Sequence, residues 1–152
     1  MRGVFTATIT ISGLNSGRTL MYLTAPSDKV FKILSAHIGN SSNETNEQCL
    51  ACFKRVSSLG TPTASNVTPA KHEAGDQASG GTVKGNVTAS EPTYSSNTEF
   101  GRQAFASLNG YHFQPTPEEQ PTVKGGETVG LVLENSPTAF DAVVTVTYQE
   151  IG

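Results

Sequence analysis

At 152 residues the chain has the length of a single domain, predicted to span residues 1–152. A domain of this size buries roughly 68–70% of its unfolded surface, enough to fold without disulfide or metal staples. A net charge of −3 with no basic run leaves no electrostatic footprint for nucleic acid, and no apolar run approaches the ~18 residues of a membrane-spanning helix. Charged residues make up only 15% of the chain. Ser, Thr, Asn and Gly carry the polarity instead, and with Thr and Val prominent the composition predicts an all-β protein.

The N-terminal stretch, residues 1–17, reads as a strand or arm. In "VFTATITI" Phe5, Ala7, Ile9 and Ile11 share one face while Thr6, Thr8 and Thr10 share the other. The start of the chain has no continuous apolar core of the secretory kind, which predicts synthesis and folding in a cytoplasm. "SGLNSG", Ser12 to Gly17, is a turn cluster, and "RTLMYLT" from Arg18 to Thr24 is the second strand. Lys29 to Ile38 reads as a long strand with Val30, Leu34, Ala36 and Ile38 inward and Ser35 and His37 outward. Its alternation is imperfect, since Lys32 falls on the inward face and Phe31 and Ile33 on the other. Gly39 to Glu47 is a polar loop leading into a strand from Gln48 to Val56. From 59 to 99 the chain is rich in Ser, Thr and Gly, with Val67, Val83 and Val87 at strand-like places, and predicts extended segments within long surface loops. "ETVGLVLEN" and "TAFDAVVTVTYQEI" are two strong strands, predicted to pair with each other (Val129–Leu133 with Phe140–Tyr148) through a turn at Asn135 to Pro137. The last strand places Ala142, Val144, Val146 and Tyr148 on one face. Uneven strands and long connections favour an antiparallel two-sheet β-sandwich of jelly-roll type over a small barrel. An immunoglobulin-type sandwich is disfavoured because the chain has no tryptophan.

Motifs of chemistry are scarce. Cys49 and Cys52 form a C-x-x-C, but within a strand they point to opposite faces and cannot close a disulfide, so they are read as two reduced, semi-buried thiols. His37, His72 and His112 lie far apart with no metal-binding spacing. His72, Glu73 and Asp76 have too few acidic companions for a calcium loop, in a chain with three aspartates. No metal or cofactor is expected. Asn40, Asn43, Asn66 and Asn86 each open an N-glycosylation pattern, read here as loop and strand residues.

The densest stretch is "NGYHFQPTPEEQPTV", Asn109 to Val123. Glu118 and Glu119 are neighbours, so on extended backbone their carboxylates diverge, whereas glycosidase chemistry requires two converging at ~5–10 Å. Pro115, Pro117 and Pro121 stiffen the segment and stop sheet pairing. A stiff, aromatic, proline-rich arm loses little entropy on docking, which marks Tyr111, Phe113, Pro115, Pro117, Glu118 and Glu119 as candidate interface residues; plain core-and-turn packing is the alternative reading of the same stretch.

Four stretches, "APSDKVFKILSAHIGN", "RVSSLGTPTASNVTPAKHEAGD", "LNGYHFQPTPEE" and "VGLVLENSPTAFDAVVTVTYQEIG", together resemble small structural proteins of tailed phages, the capsid cement or decoration proteins. The likeness is one of overall pattern from about Arg18 to Gly152. It implies a jelly-roll fold, a homotrimer, the major capsid protein as partner, a place on the virion exterior, and no active site. The competing reading is a carbohydrate-binding β-sandwich of a fibre or lectin, with Tyr22, Tyr111 and Phe113 as its stacking platform.

Overall fold

The computed structural model describes residues 3–42 and 46–152, so the acceptor pattern at Asn43 and the middle of the Gly39–Glu47 loop lie outside the described residues. Among the described residues thirteen strands follow in order: β1 (Val4–Leu14), β2 (Arg18–Thr24), β3 (Val30–Asn40), β4 (Gln48–Ser58), β5 (Thr63–Asn66), β6 (Ala70–Lys71), β7 (Thr82–Ala89), β8 (Thr93–Tyr94), β9 (Phe100–Ala106), β10 (Tyr111–Phe113), β11 (Thr122–Val123), β12 (Thr128–Leu133) and β13 (Phe140–Ile151). No helix occurs among the described residues, and hence none long and apolar enough to cross a membrane.

Two antiparallel sheets face each other. The first runs β10-β3-β13-β1-β6, with β11 continuing beside β3, and the second runs β5-β7-β2-β12-β4 with β8 and β9 on β4. Set aside the insert from β5 to β8 and the two-residue β11, and the winding is plain. β1 pairs with β13, β2 with β12, β3 with β10, and β4 with β9. First meets last, second meets seventh, third meets sixth, fourth meets fifth: a long hairpin rolled up, the jelly-roll architecture. The side chains between the sheets form one core that includes Phe5, Leu20, Phe31, Ile33, Phe53, Leu131, Val144 and Tyr148.

This winding corrects one expectation. β12 and β13 do not pair with each other. β12 lies between β2 and β4, while β13 lies between β1 and β3 in the opposite sheet. In a rolled hairpin consecutive strands cross from sheet to sheet, so two apolar runs joined by a short link face each other across the core. The link is tied to β4 instead of folding back on itself. Asn135 accepts from the Leu50 amide at 2.8 Å and donates to the Gln48 carbonyl at 2.7 Å, and Glu47 accepts from the Thr138 amide.

A second correction concerns β3. Phe31 and Ile33 point inward and are fully buried along with Ala36 and Ile38, while Val30 and Leu34 are only half-buried. The cause is a β-bulge. Thr147 pairs with Ser35 and Tyr148 with Ile33, so one step on β13 spans two on β3 and Leu34 is the extra residue. A slip of one residue exchanges the faces, which reconciles the two half-patterns that looked inconsistent along the sequence. A similar bulge carries β1 through the anticipated turn at Ser12–Gly17. Gly13 takes φ +61°, Leu14 enters the core, and the turn is shorter than expected.

Residues 59–99 join both sheets. β7 extends the second sheet beside β2, β5 adds to β7, and β6 pairs with β1. Val67, Val83 and Val87 are its buried anchors, each contributing roughly 1.5–3 kcal/mol by leaving water. The tail of this segment covers the outer side of the second sheet. Thr19 accepts or donates at Tyr94 and bonds Glu91 through both hydroxyl and amide, and the Tyr94 ring lies so close to Gly130 that a Cβ there would meet the phenol oxygen at 2.6 Å. This lid explains why β12 is buried on both faces. Gly130→Val is expected to dislodge it, seen as new fluorescence quenching of Tyr94 and a lower melting temperature. An unchanged melting temperature would show that the lid yields freely.

Candidate functional site: the proline loop and the outer face of the first sheet

The segment from β9 to β11 is built from the inside out. A turn closed by the Asn109 and Gly110 amides on the Ala106 carbonyl returns the chain into β10. Tyr111 then points inward and is fully buried. Its hydroxyl donates to the Gly101 carbonyl at 2.6 Å, and its ring meets Phe105 edge-on at 5.9 Å. Gly101 sits at φ +60° in a bulge of β9, and a Cβ there would strike Phe113 at 2.6 Å, so the aromatics and this glycine fit as one unit. Phe113 is half-buried against Phe53 at 5.5 Å and Phe100 at 6.2 Å. Phe53 and Phe100 stack at 5.2 Å.

The expectation of an aromatic interface is corrected here. Tyr111 belongs to the protein's own core and supplies no free aromatic surface, and the half-buried Phe113 packs against that core. Nor do Tyr22, 2% exposed, and Tyr111 make a platform for sugar stacking with Phe113. The period-2 pattern placed both β10 aromatics on one face; which face it was depended on the partner strand.

Beyond β10 the prolines behave differently from an extended arm. The Glu119 amide donates to the Thr116 carbonyl at 2.9 Å, and the Thr116 hydroxyl donates to Glu119 Oε2 at 3.0 Å. Thr116–Glu119 is therefore a β-turn with Pro117 at its second position, where its fixed φ suits the turn. The chain returns to β3 when the Ile33 amide donates to the Pro121 carbonyl at 2.9 Å. The result is a rigid loop. Pro117, Glu118 and Glu119 are exposed at its tip and Pro115 is half-buried on its flank.

Between this loop and the sheet runs an open groove of about 480 Å³. Its floor includes Ser35 and Gln149; Gln114, Pro115 and Pro117 form its wall. The floor continues as the outer face of the first sheet. With Ala7, Ala36, Val144 and Val146 in the core, their neighbours Thr6, Thr8, His37, Thr145 and Thr147 face outward. Thr6 pairs with Thr147 and Thr8 with Thr145 by hydroxyl hydrogen bonds of 2.9 and 3.1 Å. The centre of the face is hydroxyl-rich, with Lys32 and Asp141 on the same side of the sheet nearer its ends.

All three histidines border it, which their sequence separation did not reveal. His112 stands directly opposite His37 in the β10–β3 register, with ring centroids 4.4 Å apart. Burial, then the neighbouring His112, holds the His37 pKa below the usual imidazole range. At the opposite edge His72 Nε2 lies 2.6 Å from the Thr6 hydroxyl. Asp76 accepts from the Gly3 amide at 2.7 Å, and that loop is docked on β1. Among the described residues no three His, Cys, Asp or Glu side chains converge on one point. Asn40 binds Ser42, Asn66 ends β5, and Asn86 sits at φ 54° within β7, accepting from Arg18.

Both cysteines are free and more deeply buried than their sequence setting suggested, at 1% and 0% exposure. Cys49 joins the core with Ala51 and Phe53; Cys52 points to the other side of β4, where burial and then Glu134 push its thiol up to about 11. Neither is expected to react with a disulfide thiol reagent in the folded protein, and both should react in denaturant. A thiol titrating at native conditions would show that this strand opens.

Comparison with protein-family models, with curated proteins and with solved structures gives no match.

Proposed function

We propose that this protein is a non-enzymatic contact protein, a cement or decoration protein that binds the outside of a tailed-phage capsid as a homotrimer and stabilises it. The observation that carries the reading is the rigid proline loop standing beside a hydroxyl-rich face. The turn at Thr116–Glu119 is preformed, so little ordering entropy is lost on docking. Its tip presents Glu118 and Glu119 as rim charges, which tune specificity and salt dependence more than affinity. Pro115 and Pro117 supply the stiff apolar flank, and Tyr111 and Phe113 anchor the loop from within the core. The resemblance of the sequence to decoration proteins names the major capsid protein as the surface bound. Three linked loops on a threefold position raise avidity well above that of one.

The test is electron microscopy of capsids mixed with purified protein, together with sedimentation equilibrium of the protein alone. Density on the shell exterior and a trimer mass are the expected results. The double variant Glu118→Gln, Glu119→Gln should shift the salt dependence of occupancy while leaving the melting temperature within a few degrees. Unchanged occupancy on replacing Pro115 and Pro117 by Gly together with both glutamates would remove the loop from the interface, and absence of density on any capsid tested would overturn the reading.

A further inference from the structure

We propose that His37 and His112 form a binding site for a late first-row divalent ion (zinc, nickel or copper) on the outer face of the first sheet. The two residues are directly opposed on antiparallel strands, where Cβ atoms lie roughly 4.5–5.5 Å apart. Their ring centroids are 4.4 Å apart with planes inclined by 54°. An ion at about 2.0–2.1 Å from one nitrogen of each ring needs those nitrogens roughly 3 Å apart. Rotation of the exposed His37 side chain about its own torsions closes that difference while His112 keeps its place, because the backbones beneath the pair are held by the sheet.

A second observation points the same way. His112 Nε2 lies 3.2 Å from the Asn109 carbonyl. A carbonyl only accepts, so Nε2 carries the proton and the neutral ring keeps its lone pair on Nδ1. An imidazole whose second nitrogen is held by a backbone carbonyl is the arrangement that orients a metal-binding histidine. Among the described residues the strand neighbours of the pair add no competing charge. Gly39 and Gly110 border the pair; a Cβ at Gly110 would come to 3.5 Å from His37 Nε2 and 3.7 Å from His112 Nε2. Across β13 and β1 the neighbours in the same row are Thr145 and Thr8. Two neutral imidazoles without carboxylates suit zinc, nickel and copper, and do not suit magnesium or calcium, which take oxygen ligands. Water completes the coordination. The site does not rest on the capsid reading.

The experiment is calorimetric titration of the untagged full chain with zinc chloride and nickel chloride at neutral pH, with magnesium chloride as control. One ion per chain at micromolar affinity is expected, with no heat from magnesium. His37→Gln and His112→Gln should each weaken binding by about tenfold or more, while His72→Gln leaves it unchanged, all three variants retaining the wild-type circular dichroism spectrum. In the complex, the Nδ1 and Nε2 resonances of His112 should identify Nδ1 as the bound nitrogen. Binding only at millimolar metal, or binding that survives both substitutions, overturns the proposal. So does equal weakening by His72→Gln.

Discussion

Tyr111→Ala is expected to destabilise the protein by about 3–5 kcal/mol, the usual cost of removing a fully buried aromatic. Its ring is 0% exposed, wedged against Phe105, and its hydroxyl donates to the Gly101 carbonyl. Removing it leaves a cavity at the end of the sandwich and an unpaired carbonyl within it. β10 has three residues and, among the described residues, pairs with β3 alone, so its aromatic packing carries much of its attachment. For a domain of this size the loss amounts to roughly 10 °C in melting temperature. Tyr111→Phe keeps the ring and forfeits one hydrogen bond, which costs about 1 kcal/mol. Urea denaturation of both variants measures the difference. A Tyr111→Ala midpoint indistinguishable from wild type would mean that β10 is not part of the cooperative core. The result also bears on the proposed capsid reading, under which loss of particle binding in this variant would reflect a displaced loop, and substitutions at the exposed Pro117, Glu118 and Glu119 are the ones that test contact itself.

Glu150→Gln is expected to destabilise at neutral pH and to converge on wild type in acid. The Glu150 side chain is 5% exposed. It accepts from Lys29 Nζ at 2.7 Å, from the Ser79 hydroxyl at 2.8 Å and from the Gly80 amide at 3.1 Å. Tyr148 donates in turn to Ser79. Burial pushes the carboxyl pKa up, but the bonds from Lys29, Ser79 and Gly80 outweigh it and hold the group below its ordinary value of 4.5. A folded-state pKa below the unfolded one means stability that is fully present above about 4.5 and is lost as pH falls through the folded value. The neutral amide cannot replace the ion pair and leaves donors competing for one oxygen, a loss of about 2–3 kcal/mol. The gap between the two proteins should therefore narrow as pH is lowered past 4.5. A gap that stays constant with pH would show that the carboxylate's charge contributes nothing and that shape alone matters.

This cluster ties together parts far apart in the chain: the end of β13, the residue before β3, and the Ser79–Gly80 stretch between β6 and β7. The Glu150 amide also donates to the Gly3 carbonyl at 2.7 Å. Nothing in the sequence marks Glu150 as different from Glu118 or Glu119. All three are glutamates beside polar neighbours, and burial of one is decided only when Lys29 and the insert close over it.

What the sequence by itself determined is the class of structure and most of its strands. The alternation in Phe5 to Ile11 and in Ala142 to Tyr148 admits only half-buried strands, since period two is a local property of extended backbone. The scarcity of helix-length apolar stripes excluded helices, and uneven strand lengths with long connections favoured the rolled sandwich. Pro117 legibly specified a turn or break, because a proline acts on its own φ. What only the tertiary structure decided is everything that depends on a second strand. β12 and β13 carry the same apolar signal whether they pair edge to edge or face each other across a core, and the jelly-roll winding chose the latter. Phe31 and Ile33 turned inward because a bulge at Leu34 shifted the register against β13. Tyr111 went to the core and Phe113 to its margin because the pairing with β3 set them beside the inward-facing Ile38 and Ala36. His37 and His112 became neighbours through the pairing of two strands 75 residues apart, a distance over which local physical chemistry carries no information.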